Sequence, residues 1–81
     1  MSNSSLYEKI VFMFDRLDWA VWAMNNTASY ACPEPYLDQA NEAYVSIKFM
    51  LMRKGKHHLV SHYANEIQKV LFKYYAWQVG T

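Results

Sequence analysis

Helix-breaking residues are few in this sequence and fall in two places, which limits the chain to long regular segments. Glycine and proline number two each among 81 residues. Pro33 and Pro35 lie in the segment "NTASYACPEP", which lacks hydrophobic periodicity, and Gly55 follows the basic pair "RK". Proline is tolerated only in the first turn of a helix, and glycine often ends one in a left-handed conformation. The sequence therefore predicts three helices within one domain, residues 1–81.

The predicted helices span residues 6–25, 35–54 and 57–78. Ser5 and Glu8 have the S-x-x-E spacing of a capping box, in which each side chain satisfies a free backbone amide at a helix start. The connection "GKH" is short, so we expect the third helix to fold back antiparallel on the second. The predicted fold is all-α, a three-helix antiparallel bundle that is completed by dimerisation.

Each predicted helix carries one apolar stripe at helical spacing, as a three-helix core requires. Hydrophobic residues make up 53% of the chain, whereas a domain this small removes only about 60–65% of its unfolded surface from water. Some apolar residues must therefore lie near the surface. The predicted core stripes are Leu6, Ile10, Met13, Phe14, Leu17, Ala20, Val21 and Met24; Leu37, Ala40, Tyr44, Ile47, Met50 and Leu51; and Val60, Tyr63, Ala64, Ile67, Val70, Leu71 and Tyr74.

The first two helices carry a second apolar stripe that the core does not need. The third has a largely polar outer face, with Phe72 as the exception. Trp and Tyr are enriched at binding hot spots because each covers a large rigid area at little cost in side-chain entropy. Charges of both signs around the rings resemble a polar rim, which favours a protein over a lipid surface as partner. The predicted partner interface comprises Val11, Phe12, Asp15, Trp19, Trp22, Val45, Phe49 and Met52.

Two interpretations of the second stripe remain open. It is an interface, either between two copies of the chain or with a different protein, because an apolar patch of this size marks an interaction site. Alternatively, the N-terminal arm, residues 27–35 and the tail, "YYAWQVGT", fold over Trp19 or Phe49. A two-fold dimer would use the same patch twice and would stabilise a small domain. We therefore expect a homodimer that also binds a protein target.

A metal site is the first rival to protein binding. His58, His62 and Glu66 follow i, i+4, i+8 spacing and share a helix face. Two imidazoles and a carboxylate can bind a transition metal. Neither an H-E-x-x-H pattern nor a nearby cysteine supports such a site. We therefore expect no metal and no cofactor.

Nucleic-acid binding is the second rival. The only basic cluster is "RKGKHH", and the formal net charge is +1. Nucleic-acid-binding domains usually carry a broader basic surface, so we do not expect nucleic acid as the main partner. The alternative function is a nucleic-acid-associated helical dimer. Its contact residues would be Arg53, Lys54, Lys56, His58, Lys69 and Lys73.

Catalysis and membrane insertion are not predicted. Cys32 has no adjacent base, and Glu34, Asp38 and Glu42 lie at a helix start, where carboxylates stabilise the helix dipole. A single cysteine, no signal-peptide pattern and no apolar run long enough for a bilayer favour a cytoplasmic protein. Compact chains of this composition are typical of host-directed factors from phages and mobile elements. The predicted function is therefore a small regulator or inhibitor that masks a protein target.

Overall fold

The computed structural model describes residues 5–26 and 31–80. Of these residues 89% are helical, and three helices pack against each other with no strand among them. Helix α1 spans Leu6–Asn25, α2 spans Glu34–Arg53 and α3 spans His57–Gly80. The predicted all-α helical bundle is confirmed. Helix α1 has its predicted limits, α2 lies one residue earlier than predicted, and α3 continues two residues further, to the next glycine.

The start of α1 is set by the predicted capping box. The Ser5 hydroxyl accepts a hydrogen bond from the Glu8 amide at 3.1 Å, and the Glu8 carboxylate accepts one from the Ser5 amide at 2.9 Å. At the other end, the Asn26 side-chain amide donates to the Trp22 carbonyl at 2.8 Å. These local bonds satisfy backbone groups that a helix end leaves free. They fix both limits of α1 without help from the rest of the chain.

Gly55 makes the tight turn between α2 and α3. Its φ is +74°, and no other described residue has a positive φ. The Lys56 amide donates to the Leu51 carbonyl at 2.9 Å, and the Gly55 amide donates to the Met52 carbonyl at 3.0 Å. This pair of bonds is the Schellman motif, which requires a left-handed residue after the helix. A residue with a Cβ would be strained there by about 1–2 kcal/mol.

The core lies mainly between α1 and α2. Met13, Ala20, Ala40 and Ile47 are fully buried, and each belongs to a predicted core stripe. Ala23, which lies between the two predicted stripes of α1, is also fully buried. Helix α3 contributes less, because only two of its 24 residues are buried. Most of its predicted stripe packs against the core while remaining half-buried. The two buried residues of α3 are Ile67 and Tyr74.

The bundle is flat and extended. Its backbone measures 42 × 29 × 13 Å, and its radius of gyration is 13.8 Å. A compact domain of this length has a radius of gyration of about 12 Å. The open arrangement leaves large apolar side chains exposed on all three helices. None of the described helices combines the length and the hydropathy that crossing a bilayer requires.

Candidate protein-binding surface

A continuous row of ring and guanidinium contacts crosses from α1 to α2. The Arg16 guanidinium carbon lies 5.1 Å from the Phe12 ring centroid and 5.9 Å from the Tyr36 ring centroid. The Tyr36 ring stacks on Trp19, with 6.0 Å between centroids and 20° between planes. Trp19 in turn meets Trp22 edge to face, at 5.5 Å and 73°. We call this row the aromatic ladder; its members are Phe12, Arg16, Tyr36, Trp19 and Trp22.

Helix geometry explains how the ladder forms. Phe12, Arg16 and Trp19 recur at i, i+4 and i+7, so they share one side of α1. Tyr36 lies in the first turn of α2, where its amide donates to the Pro33 carbonyl at 3.1 Å. The start of α2 thereby brings a tyrosine against the second half of α1. Tyr36 was absent from the predicted interface, because only the packing of the two helices makes it a member.

The ladder is held by mutual contacts yet remains exposed. Phe12, Trp19 and Trp22 are 44%, 42% and 48% exposed. Since a covered aromatic side chain buries about 150–250 Å², these three rings leave roughly 250 Å² of surface open. The largest apolar patch of a typical monomer covers about 300–600 Å² and is often functional, so these three rings alone make up much of such a patch.

The tail does not cover this patch. Residues 74–80 continue α3 instead of folding back. Trp19 and Phe49, the two residues that the tail would protect, are both exposed. The other two candidate covers, the N-terminal arm and residues 27–35, include residues 1–4 and 27–30, which lie outside the described residues. No described residue covers the second stripe of α1, whose large apolar side chains are exposed.

Arg16 is the charged member of the ladder. Its Nη2 donates to the Asp15 carboxylate at 2.8 Å, and its side chain is 25% exposed. Its Nε is buried and has no hydrogen-bond partner among the described residues. A guanidinium is weakly hydrated and is attracted to aromatic faces, so the rings of Phe12 and Tyr36 compensate for part of this burial. Arg16 is one of the charges of both signs that were predicted to form a polar rim around the rings.

Two depressions border the ladder. The larger, about 660 Å³, lies between α1 and α2, where the small side chains of Ala43 and Ser46 leave space beside Phe12. The smaller, about 290 Å³, is lined by Asp18, Trp19 and Trp22. We call the smaller one the tryptophan notch. The remaining residues around the larger depression are Glu8, Lys9, Gln39 and Glu42.

The predicted second stripe of α2 is also exposed. Val45, Phe49 and Met52 are surface residues, and Phe49 is 61% exposed. We call these three residues the α2 seam. Helix α3 carries a further apolar stripe, although Phe72 was predicted to be an isolated exception on its outer face. Its spacing of i, i+3 and i+7 was visible in the sequence. The members of this α3 stripe are Phe72, Tyr75 and Val79.

The candidate metal ligands His58, His62 and Glu66 are not gathered into a site among the described residues. His58 and His62 are exposed, and the Glu66 carboxylate accepts a hydrogen bond from Lys69 at 3.5 Å. Throughout residues 5–26 and 31–80, no three His, Cys, Asp or Glu side chains are grouped so that they could hold a metal ion.

The nucleic-acid contacts of the alternative function lie at the α2–α3 turn and along α3. Arg53, Lys54 and Lys56 are exposed at the α2–α3 turn. On α3, exposed basic residues continue from His58 to Lys73, a distance of roughly 22 Å along the helix. Lys69 is paired with Glu66. The arrangement is a sparse line of charges with an acidic residue beside it.

A hydrogen-bond network joins the end of α3 to the start of α2. The buried Tyr74 hydroxyl donates to the Glu34 carboxylate at 2.6 Å and accepts from the Gln78 amide at 2.7 Å. The hydrogen bond to Glu34, then burial and the charge of that carboxylate, raise the pKa of Tyr74 to about 12. Glu34 was predicted to stabilise the dipole of α2. It also connects two helices.

Stability should fall as pH rises from 10 to 12. The unfolded chain releases the Tyr74 proton near pH 10, whereas the folded chain keeps it to about 12. The unfolded state then binds fewer protons, so the free energy of unfolding decreases with pH. Urea unfolding checks this: Tyr74→Phe should lower stability at neutral pH by about 1–2 kcal/mol and make the decline at high pH shallower. Equal declines would mean that Glu34 does not hold the phenol proton.

Four of the five members of the ladder are of the types most enriched at protein-binding hot spots, Trp, Tyr and Arg. No protein-family model matches this sequence, and comparisons with curated proteins and with solved structures found no match. Function is therefore inferred from the chemistry of the surface.

Proposed function

We propose that this protein is a small protein-binding module, a regulator or inhibitor that masks a surface of its target and catalyses no reaction. The observation that carries the proposal is the aromatic ladder, a connected row of rings around one guanidinium that stays half-exposed. Rigid aromatic side chains and arginine supply most of the binding energy at protein interfaces. A row already ordered by its own contacts loses little entropy on binding.

The charges near the ladder favour a protein partner. Side chains of both charges lie near it: Asp15 pairs with Arg16, Asp18 lines the tryptophan notch, and Lys9 lines the larger depression beside Phe12. A membrane-binding helix carries a Lys/Arg-rich polar face, and a nucleic-acid-binding surface is broadly basic. The depression beside Phe12 offers space for a side chain of the target. A cytoplasmic location belongs to the same proposal and is supported by Cys32, a free thiol in a chain with a single cysteine.

We further propose that two copies pair through the α2 seam and leave the ladder open to the target. In a two-fold pair of antiparallel α2 helices centred near Phe49, Val45 lies opposite Met52 of the second copy. The same alignment brings Glu42 to the basic turn, residues 53–56, of the second copy. Opposite charges would thus meet on both sides of the apolar centre. The flat bundle supports pairing, because it leaves large apolar side chains exposed, including those of the α2 seam.

An antiparallel order of the helices completes the proposal. Trp19, in the second half of α1, stacks on Tyr36 at the start of α2. Tyr74, near the end of α3, bonds to Glu34, also at the start of α2. Contacts between the later part of one helix and the start of another support an antiparallel arrangement of α1 with α2 and of α2 with α3.

Light scattering on a sizing column, over a range of concentrations, tests the pairing. We expect wild type to have twice the mass of one chain and Phe49→Asp the mass of one. Phe72→Asp introduces the same charge on α3 and should remain dimeric. A wild type that is monomeric at every concentration would contradict the proposed pairing. It would leave the ladder as a separate proposal, which Trp19→Asp tests. A monomeric Phe72→Asp beside a dimeric Phe49→Asp would move the interface to α3.

A further inference from the structure

The tryptophan notch has two aromatic walls that meet at an angle. The planes of Trp19 and Trp22 lie at 73° to each other with centroids 5.5 Å apart, so the rings form a corner. Tyr36 stacks on Trp19 and supports that wall from α2. The volume of about 290 Å³ is just below that of small-molecule pockets, which begin at about 300 Å³. The notch is therefore of a size for one side chain.

Asp18 places a negative charge at the edge of the notch. Its carboxylate has no hydrogen bond or ion pair with another described residue. The ion pairs among the described residues are Asp15–Arg16 and Glu66–Lys69. The one basic member of the ladder, Arg16, already pairs with Asp15, with 2.8 Å between its Nη2 and the Asp15 Oδ2. The notch thus combines two indole side chains with an uncompensated carboxylate.

We propose that the tryptophan notch receives an alkylammonium group of the target protein, a lysine side chain or its methylated form. This inference rests on the proposed protein-binding function and adds the chemistry of one contact. A cation within about 6 Å of an indole centroid is attracted by the electron-rich ring face, and such corners are used to bind quaternary ammonium groups. Asp18 adds a Coulombic attraction to the same cation.

The angle between the walls favours ammonium over guanidinium. A guanidinium is planar and stacks flat on a single ring. An ammonium group is a compact charge that can contact two rings at once. Walls at 73° therefore match the rounder cation.

Choline chloride and its neutral carbon analogue, 3,3-dimethylbutan-1-ol, test the site because they match in size and differ in charge. Each is titrated into the full chain at constant ionic strength, and the three indole N–H signals are followed by NMR. Choline should shift the Trp19 and Trp22 signals saturably and bind about two- to fivefold more tightly than the alcohol. Trp77, which packs against Tyr74 on α3, is the internal control and should not respond.

Asp18→Asn separates charge from shape. It should weaken choline binding about two- to fivefold and leave binding of the alcohol unchanged. Glu42→Gln makes the same change in charge outside the notch and should bind choline as wild type does. Equal affinity for choline and the alcohol would overturn the proposal, as would a response of Trp77 as large as that of Trp19. Absence of any saturable shift would overturn it too.

Failure of this inference differs from failure of the proposed function. The titration needs no target, so it reports on the notch alone. Target binding that is lost in Trp19→Asp but kept in Asp18→Asn, without a preference for choline, would leave a protein-binding ladder with no cation site. If wild type prefers choline but target binding survives Trp19→Asp, the notch would remain a cation-binding site, and the proposed function of the ladder would be contradicted.

Discussion

Replacing Leu17 with aspartate should abolish folding. The side chain is 4% exposed and belongs to the core cluster that joins α1 and α2. An unpaired buried carboxylate costs several kcal/mol, and losing the leucine contacts costs about 2–5 kcal/mol more. A chain this small has a free energy of unfolding of only about 3–5 kcal/mol. Circular dichroism during heating should therefore reveal no cooperative transition in Leu17→Asp.

Val11→Asp is the matched control for this experiment. It places the same charge on the same helix at a position that is 48% exposed. Because its carboxylate stays in water, the variant should unfold cooperatively near the wild-type temperature. A cooperative transition in Leu17→Asp as well would contradict a core centred between α1 and α2.

Replacing Trp19 with aspartate should abolish target binding while the domain stays folded. The substitution removes ring contacts with Tyr36 and Trp22, each worth about 0.5–1.5 kcal/mol, but leaves the buried core intact. Truncating a hot-spot residue costs at least about 2 kcal/mol, or roughly 30-fold in Kd. Thermal unfolding checks the first half of this prediction, and calorimetry with a purified target checks the second.

Phe72→Asp controls for adding charge at an exposed ring. Phe72 belongs to the α3 stripe and is not part of the ladder, so target binding should persist. An unfolded Trp19→Asp chain would mean that the ladder is needed for the fold itself. The interpretation of the second stripe as a structural element would then be right.

Features that depend on neighbours in sequence were predictable. The capping box needs only Ser5 and Glu8. The end of α2 needs only Gly55 and the two hydrogen bonds that the Gly55 and Lys56 amides donate to the last turn of the helix. Core positions such as Leu17 and Ile47 follow from helical periodicity, since a buried stripe repeats every turn. Each of these depends on interactions within a few residues, which a single sequence displays directly.

Features that depend on how the helices pack were not predictable. Tyr36 joins the ladder only because the start of α2 lies against the second half of α1. The bond between Tyr74 and Glu34 connects residues 40 positions apart, and nothing in either local sequence indicates the other. The α3 stripe is a different case. Its spacing was visible, but Tyr74 and Tyr75 are adjacent, so periodicity alone did not separate the buried ring from the exposed one.

Differential capture tests the central claim, that the exposed ladder is a protein-binding surface, most directly. Wild type, Trp19→Asp and Phe72→Asp are immobilised in equal folded amounts and exposed to one cell extract, and the retained proteins are quantified by mass spectrometry. We predict a protein that wild type and Phe72→Asp retain and Trp19→Asp does not, with at least about a 30-fold loss of affinity once it is purified. Retention of the same proteins by all three folded variants would contradict the claim.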